Sequence, residues 1–212
     1  MAMRYLIFSA FVLAFGCRTS SAETLVTALV DGGTLKSGTY GYAFSVGPNS
    51  LSVQQLGVYD SYGNGLVSQN KVGIWSSSGN LIISAEISAG NSAPRTGIPS
   101  GSGYFQNSYR WATLAEPTYL SANTTYYLGA SANAGMFMED ISSASETSPL
   151  LSPDVTFLGA FLNVGTFAFS SSLSTGNLVG PNMIYSTVPE PSSLSLLAIG
   201  GVVVALGRRK KQ

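Results

Sequence analysis

Apolar residues in this chain recur at every second position. Tyr40, Tyr42, Phe44 and Val46 alternate with Gly41, Ala43 and Ser45, and Leu81, Ile83, Ala85 and Ile87 alternate in the same way. A period of two sends one side of an extended chain into a core and the other side away from it. Leu51 and Val53, then Leu56 and Val58, keep this rhythm only if one extra residue sits near Gln54-Gln55, which predicts a β-bulge there. Further strands are expected at 24–30, 71–76, 109–114, 125–130, 155–158, 166–170 and 183–186. Turn residues separate them: Asp31-Gly32-Gly33, Gly47-Pro48-Asn49, Asn64-Gly65, Gly79-Asn80, Ala122-Asn123 and Gly180-Pro181-Asn182. No amphipathic helix of useful length interrupts the pattern, and 92–103 and 142–152 read as longer loops. The expected fold is all-β, an antiparallel β-sandwich or jelly roll.

The two ends of the chain are different. Arg4 precedes the apolar stretch from Tyr5 to Cys17, and Ser20-Ser21-Ala22 places small residues before a cut after Ala22. This is the layout of a secretory leader, recognised by signal peptidase. Cys17 is the only cysteine. A lipoprotein cut before it is disfavoured by Ala14-Phe15-Gly16, which puts a bulky ring at the second position. The mature chain therefore has no thiol, and its core must hold the fold without disulfides.

At the other end Leu194 to Leu206 is apolar apart from Ser195 and two glycines, and Arg208, Arg209, Lys210 and Lys211 follow. The 16 residues from Ser192 to Gly207 would span about 24 Å as a helix, short of the ~30 Å hydrocarbon core. Such a span holds a chain in the membrane only marginally, with the basic cluster on the cytoplasmic side. Pro189-Glu190-Pro191 stands immediately before it. Two prolines resist helix formation and keep the triplet extended. Motif, apolar span and basic stop in this order resemble the PEP-CTERM sorting signal of Gram-negative bacteria. The resemblance implies processing near Pro189, Glu190 and Pro191 by an exosortase-type transpeptidase, after transient retention in the inner membrane. The expected organisation is a leader at 1–22, a β-domain at 23–187 and a sorting signal at 188–212, with a signal helix and a transmembrane helix flanking the sandwich.

Between the two signals, four basic residues face nine acidic ones, a formal net charge of −5. A nucleic-acid partner, which needs a basic patch, is excluded on that ground. Charged residues are 9% of the chain, against roughly 25% in an average soluble protein. The chain contains no histidine. Ser-His-Asp triads, histidine bases and histidine metal sites go with it. Without a mature cysteine, thiol nucleophiles and cysteine-zinc sites go as well. No metal, cofactor or catalytic residue is expected, and the chain is read as a non-enzyme.

Three weaker signals remain. Glu139-Asp140, with Glu146 and Asp154 beyond, is the densest acidic stretch, but its spacing sets no two carboxylates across a cleft as a glycosidase requires. Asp60-Ser61-Tyr62-Gly63-Asn64-Gly65 has a loose calcium-loop look, with Tyr62 and Lys71 where ligands should stand, and a hairpin turn on Asn64-Gly65 explains it more simply. Trp75 and Trp111, with the adjacent pairs Tyr104-Phe105 and Tyr126-Tyr127, are the candidates for a glycan-binding face. Adjacent ring pairs on a strand must send one ring to each side, although strand aromatics more often pack in cores. Asn123-Thr124-Thr125 is a formal glycosylation sequon whose turn role suffices.

Leu56-Gly57-Val58-Tyr59-Asp60, Lys71-Val72-Gly73-Ile74-Trp75, Tyr109-Arg110-Trp111 and the run from Leu120 to Ala130 resemble the choice-of-anchor and related β-domains of bacterial surface proteins. Asn70-Lys71 stands where those domains usually have a histidine. That resemblance implies a fold and a location without a reaction. The expectation is an exported surface or matrix protein that meets exopolysaccharide. A carbohydrate- or surface-binding module, such as an adhesin or ice-binding type, is the alternative, and a glycan-active enzyme is the remote one.

Overall fold

The computed structural model describes residues 21–28, 34–60, 63–97, 108–140, 150–165, 167–174 and 178–188. The expected leader helix and transmembrane helix, the Pro189-Glu190-Pro191 motif, the basic stop, Asp31-Gly32-Gly33, Tyr104-Phe105 and Glu146 lie outside the described residues. Those described form an all-β fold of two large antiparallel sheets, with no helix among them.

The first sheet contains β1 (Glu23–Thr24), β14 (Pro181–Val188), β4 (Ser50–Asp60), β8 (Ser108–Leu120) and β7 (Arg95–Gly97), in that order. The second runs β12 (Leu173–Ser174), β11 (Val155–Asn163), β3 (Thr34–Val46), β9 (Thr125–Asp140), β5 (Asn70–Ser76) and β6 (Leu81–Ile87). In it β13 (Leu178–Val179) also pairs with β9. A small ribbon joins β2 (Val26–Ala28) to β10 (Leu150–Leu151). Side chains from both large sheets share one hydrophobic cluster, with Tyr42, Phe44, Ile74 and Leu128 from the second sheet and Leu56, Val58, Trp111 and Met183 from the first. Burying a side chain such as Phe44 contributes about 1.5–3 kcal/mol.

The expected bulge is present. Both neighbours of β4 shift register across Gln54: Val53 faces Tyr185 and Gln55 faces Ile184 on one side, while Val53 faces Thr118 and Gln55 faces Thr113 on the other. On β8 the shift takes up Leu114 to Pro117, so the strand expected to stop at Leu114 continues to Leu120. Pro117, which has no N–H for the ladder, falls within the irregular stretch. Strands β9 and β11 likewise outrun their expected ends, to Asp140 and Asn163. The expected 24–30 strand divides at Leu25: β1 pairs with β14, and β2 with β10.

Three expectations need correction. Asn64-Gly65 is not a hairpin turn, because β4 and β5 belong to different sheets and the segment crosses between them. Pro181 and Asn182 begin β14 rather than forming a turn before it. The expected 166–170 strand does not form among the described residues: Phe167 to Ser170 pair with no described strand and lie as a strap across the outer face of the second sheet.

That outer face explains three glycines. Gly41, Gly129 and Gly73 stand opposite one another on β3, β9 and β5, forming a side-chain-free row. A Cβ on Gly129 would lie 2.8 Å from Phe161, and one on Gly73 2.8 Å from Phe167. The row is a trough floor on which aromatic rings lie.

Candidate functional site

The described candidate aromatics stand on these sheets, and the structure buries them. Trp75 is 4% exposed and Trp111 2%. Tyr126 and Tyr127 do point to opposite faces of β9. Tyr126 joins the main core, and Tyr127 joins Ala43, Trp75 and Phe161 outside it. The strap then roofs the outer group. Phe167 lies on Trp75 at 4.8 Å between ring centroids, and Phe169 meets Tyr127 edge-on at 4.9 Å. Lys71 Nζ sits 5.2 Å from the Phe167 ring. Two hydrogen bonds hold the strap: the Ala168 N–H donates to Thr39 Oγ1, and Asn163 Nδ2 donates to the Phe169 carbonyl. A ring that stacks on a sugar needs an open face, and neither tryptophan has one. Tyr119, at 68% exposed, is the solvent-facing ring of β8. Glu139 and Asp140 end β9, opposite Val179 and Leu178.

The calcium-like loop carries a different chemistry. Asp60 and Arg110 form a buried ion pair with Nε to Oδ2 at 2.8 Å. Every donor of the Arg110 fork is used. Nε donates to Asp60, NH1 to the carbonyls of Asn91 and Ala93, and NH2 to the Gly63 carbonyl and Asn91 Oδ1. The Gly65 N–H also donates to Asp60 Oδ2, at 3.1 Å. Gly63 and Gly65 take positive φ values of 64° and 108°, which a side chain would disfavour. Asp60 is therefore committed to a cation already in the chain. The cluster fastens the β4–β5 crossing to the segment before β7 and to β8.

A third cluster lies along β14, beside β4. Glu23 faces Tyr185, and Thr24 faces Ile184. Leu25 and Val26 are fully buried. Asn182 clasps this segment: its Oδ1 accepts from the Val26 N–H at 2.9 Å, and its Nδ2 donates to the Val26 carbonyl at 3.2 Å. The Tyr185 hydroxyl donates to Ser152 Oγ at 2.5 Å and lies 3.1 Å from Asp154 Oδ2, while Ser152 Oγ donates to Glu23 Oε2 at 3.4 Å. Ala22, the expected cleavage residue, is exposed and directly precedes β1. Val188 is the last residue of β14 and pairs with Ser50. The Pro189-Glu190-Pro191 triplet follows it without a spacer.

Residues 187–211 match the PEP-CTERM protein-sorting motif. The chain carries a sorting signal. The match begins within β14, so the signal starts where the folded sheet ends. No curated protein and no solved structure matches the chain. The expected likeness of the middle region to choice-of-anchor domains is not supported by any of these comparisons. Among the described residues no helix is long and apolar enough to cross a membrane, and the apolar part of the sorting motif lies outside them.

Two tyrosines give the fold a pH dependence. Burial pushes the Tyr185 phenol far above its ordinary value; Ser152 opposes this, and Asp154 and Glu23 add to it. Burial, then Tyr109, raises Tyr42 likewise. The raised groups stay protonated in the fold while the unfolded chain ionises near pH 10. The unfolded state then binds fewer protons, so stability is level below that pH and falls above it, by about 1.4 kcal/mol per pH unit for each tyrosine. Urea midpoints measured from pH 8 upward should break near pH 10, and Tyr42→Phe should make the fall shallower. A midpoint that rises with pH would contradict the assignment.

Proposed function

We propose that this is an exported, non-enzymatic surface or matrix protein whose C-terminal signal is processed by an exosortase-type transpeptidase. The observation that carries the reading is the match at residues 187–211, which begins where β14 ends. The leader delivers the chain across the inner membrane. The short apolar span then retains it, with Arg208, Arg209, Lys210 and Lys211 on the cytoplasmic side. Pro189-Glu190-Pro191 is thereby held just outside the bilayer for processing. The absence of histidine and of a mature thiol supports a role without catalysis. A buried, disulfide-free sandwich with few surface charges suits a protein that works outside the cell among polysaccharides.

Replacing Pro189, Glu190 and Pro191 together by alanine tests the reading. In the native host, intact-mass analysis of the wild-type protein should show loss of residues 1–22 and of the C-terminal tail. The triple variant should keep its tail and remain in the membrane fraction. Identical processed masses for the two proteins would refute the role of the triplet. A mature protein beginning at Met1 would refute export through the leader.

A further inference from the structure

Both terminal signals leave the domain at the same end. Strands β1 and β14 are antiparallel neighbours, with Glu23 opposite Tyr185, and β14 ends at Val188. The point where the chain enters the sheet therefore lies only about 10 Å, three residues at ~3.4 Å each, from the level where it leaves. Neighbouring strands stand ~4.8 Å apart. The two exits are practically one place on the surface.

The tethers are short. Five residues, 189–193, separate Val188 from Leu194, where the apolar span begins. Five more, 18–22, separate Cys17, the end of the leader's apolar stretch, from Glu23. Fully extended, each connection reaches at most about 20 Å. The headgroup layer takes up roughly 5–8 Å of that on each side of the bilayer. Too little chain remains for the domain to lie on its side or turn over.

The same end is a built surface. The turn at 47–49 is hydrogen-bonded to the turn at 121–124 through the Asn123 N–H and the Gly47 carbonyl, at 2.9 Å. The Gly47 N–H donates to the Asp154 carbonyl at 2.8 Å. Ser50, the partner of Val188, accepts from the Ala122 N–H through Oγ at 3.2 Å. Three turns are thus tied into one platform around the exit. None of them contains a lysine or arginine, and Asp154 and Glu23 are acidic. The ion pair of Asp60 with Arg110 lies ten residues farther along β4, about 34 Å away.

We propose that this platform is the membrane-facing surface of the precursor, which stands end-on against phospholipid headgroups with the Asp60–Arg110 end pointing outward. The tethers hold it there, because its turns supply no cation to attract anionic lipid. Cutting both tethers releases the domain, since no affinity of its own keeps it on the membrane.

This rests on the reading that the tail enters the bilayer, and the test separates the two. The full chain carrying Cys17→Ser is given one fluorescent thiol probe, at Asn49→Cys on the platform or at Ser92→Cys beside the ion pair. It is reconstituted into phosphatidylethanolamine–phosphatidylglycerol vesicles containing a headgroup-attached quencher lipid. The Asn49 probe should lose more than half its emission and the Ser92 probe almost none. A chain of residues 23–188 should not sediment with the vesicles. Failure of the full chain to sediment overturns the tail reading and the orientation together. Sedimentation with equal quenching at both sites, or stronger quenching at Ser92, overturns the orientation alone. Sedimentation of the 23–188 chain overturns the claim that only the tethers hold it.

Discussion

Arg110→Ala should lower stability by about 3–5 kcal/mol, as expected when one partner of a buried ion pair is removed. That is a large part of the ~5–15 kcal/mol that holds a domain together. The loss has two sources. Asp60 would lose its buried cation and keep, among the described residues, the Gly65 N–H as a side-chain partner. The carbonyls of Gly63, Asn91 and Ala93 would also lose the guanidinium that now serves them. The second source makes this pair unlike a simple buried salt bridge, whose replacement by apolar residues is often neutral. The double variant Asp60→Asn with Arg110→Met should therefore recover only part of the loss. Arg110→Lys should also fall well short of wild type, because an ammonium cannot reach the same acceptors as a planar fork. Urea unfolding gives the comparison directly, with equal slopes required for the midpoints to be read as stability. A midpoint for Arg110→Ala within about 0.5 kcal/mol of wild type, the range of an ordinary surface change, would refute the structural role of the cluster.

Trp111→Ala should cost a similar amount, about 3–5 kcal/mol for an indole removed from a core. Trp111 stands opposite Gly57 on β4, and a Cβ on that glycine would come within 2.5 Å of the indole. The ring also meets Tyr109 at 5.5 Å. Its Nε1 is buried and has no hydrogen-bond partner among the described residues. Burying such a donor unpaired costs roughly 1–3 kcal/mol. Trp111→Phe should accordingly be much milder than the alanine variant, since it fills most of the volume and removes the orphan donor. Thermal or urea unfolding of the three proteins decides it: equal losses for phenylalanine and alanine would show that the indole N–H has a partner. The same numbers bear on any glycan-binding assay. Lost binding in a Trp75→Ala or Trp111→Ala variant would report unfolding unless stability is measured alongside.

Much of the architecture could be read from residue order, and the reasons for the failures are physical. The alternation at Tyr40–Val46 and Leu81–Ile87 gave sidedness and therefore strands. The change of phase between Val53 and Leu56 placed the bulge at Gln54. Asn123, with φ of 53°, occupies the turn its residue type suggested. Alternation reports only which way side chains point, however, and this misled at 166–170. Phe167 and Phe169 repeat with a period of two because both press on the same sheet face, without any neighbouring strand. Nor could the local pattern show that Asn64-Gly65 passes between sheets, since hairpins and crossings use the same turn residues. In the sequence Arg110 stands only as one of four basic residues between the two signals and as part of Tyr109-Arg110-Trp111. Its burial depends on acceptors brought in from Gly63, Asn91 and Ala93, which adjoin only in the folded chain. The tryptophans looked available for ligands for a related reason: the cover over Trp75 comes from residues some ninety positions later.

The Asn182–Val26 clasp joins residues 156 positions apart, and this sets an order of events during export. Closing so long a loop costs about 4–5 kcal/mol of chain entropy, which only the completed sheet can offset. Strand β14 lies between β1 and β4, so the first sheet cannot close until nearly the whole chain has emerged. Folds dominated by such distant pairings form slowly. On the proposed export route, the Ala22–Glu23 bond is therefore carried on an unpaired segment until β14 arrives beside β1. The last strand acts as a clock on that route: until it docks, the segment at Glu23 hangs on an open chain, and once it docks, the sorting signal extends from a closed sheet.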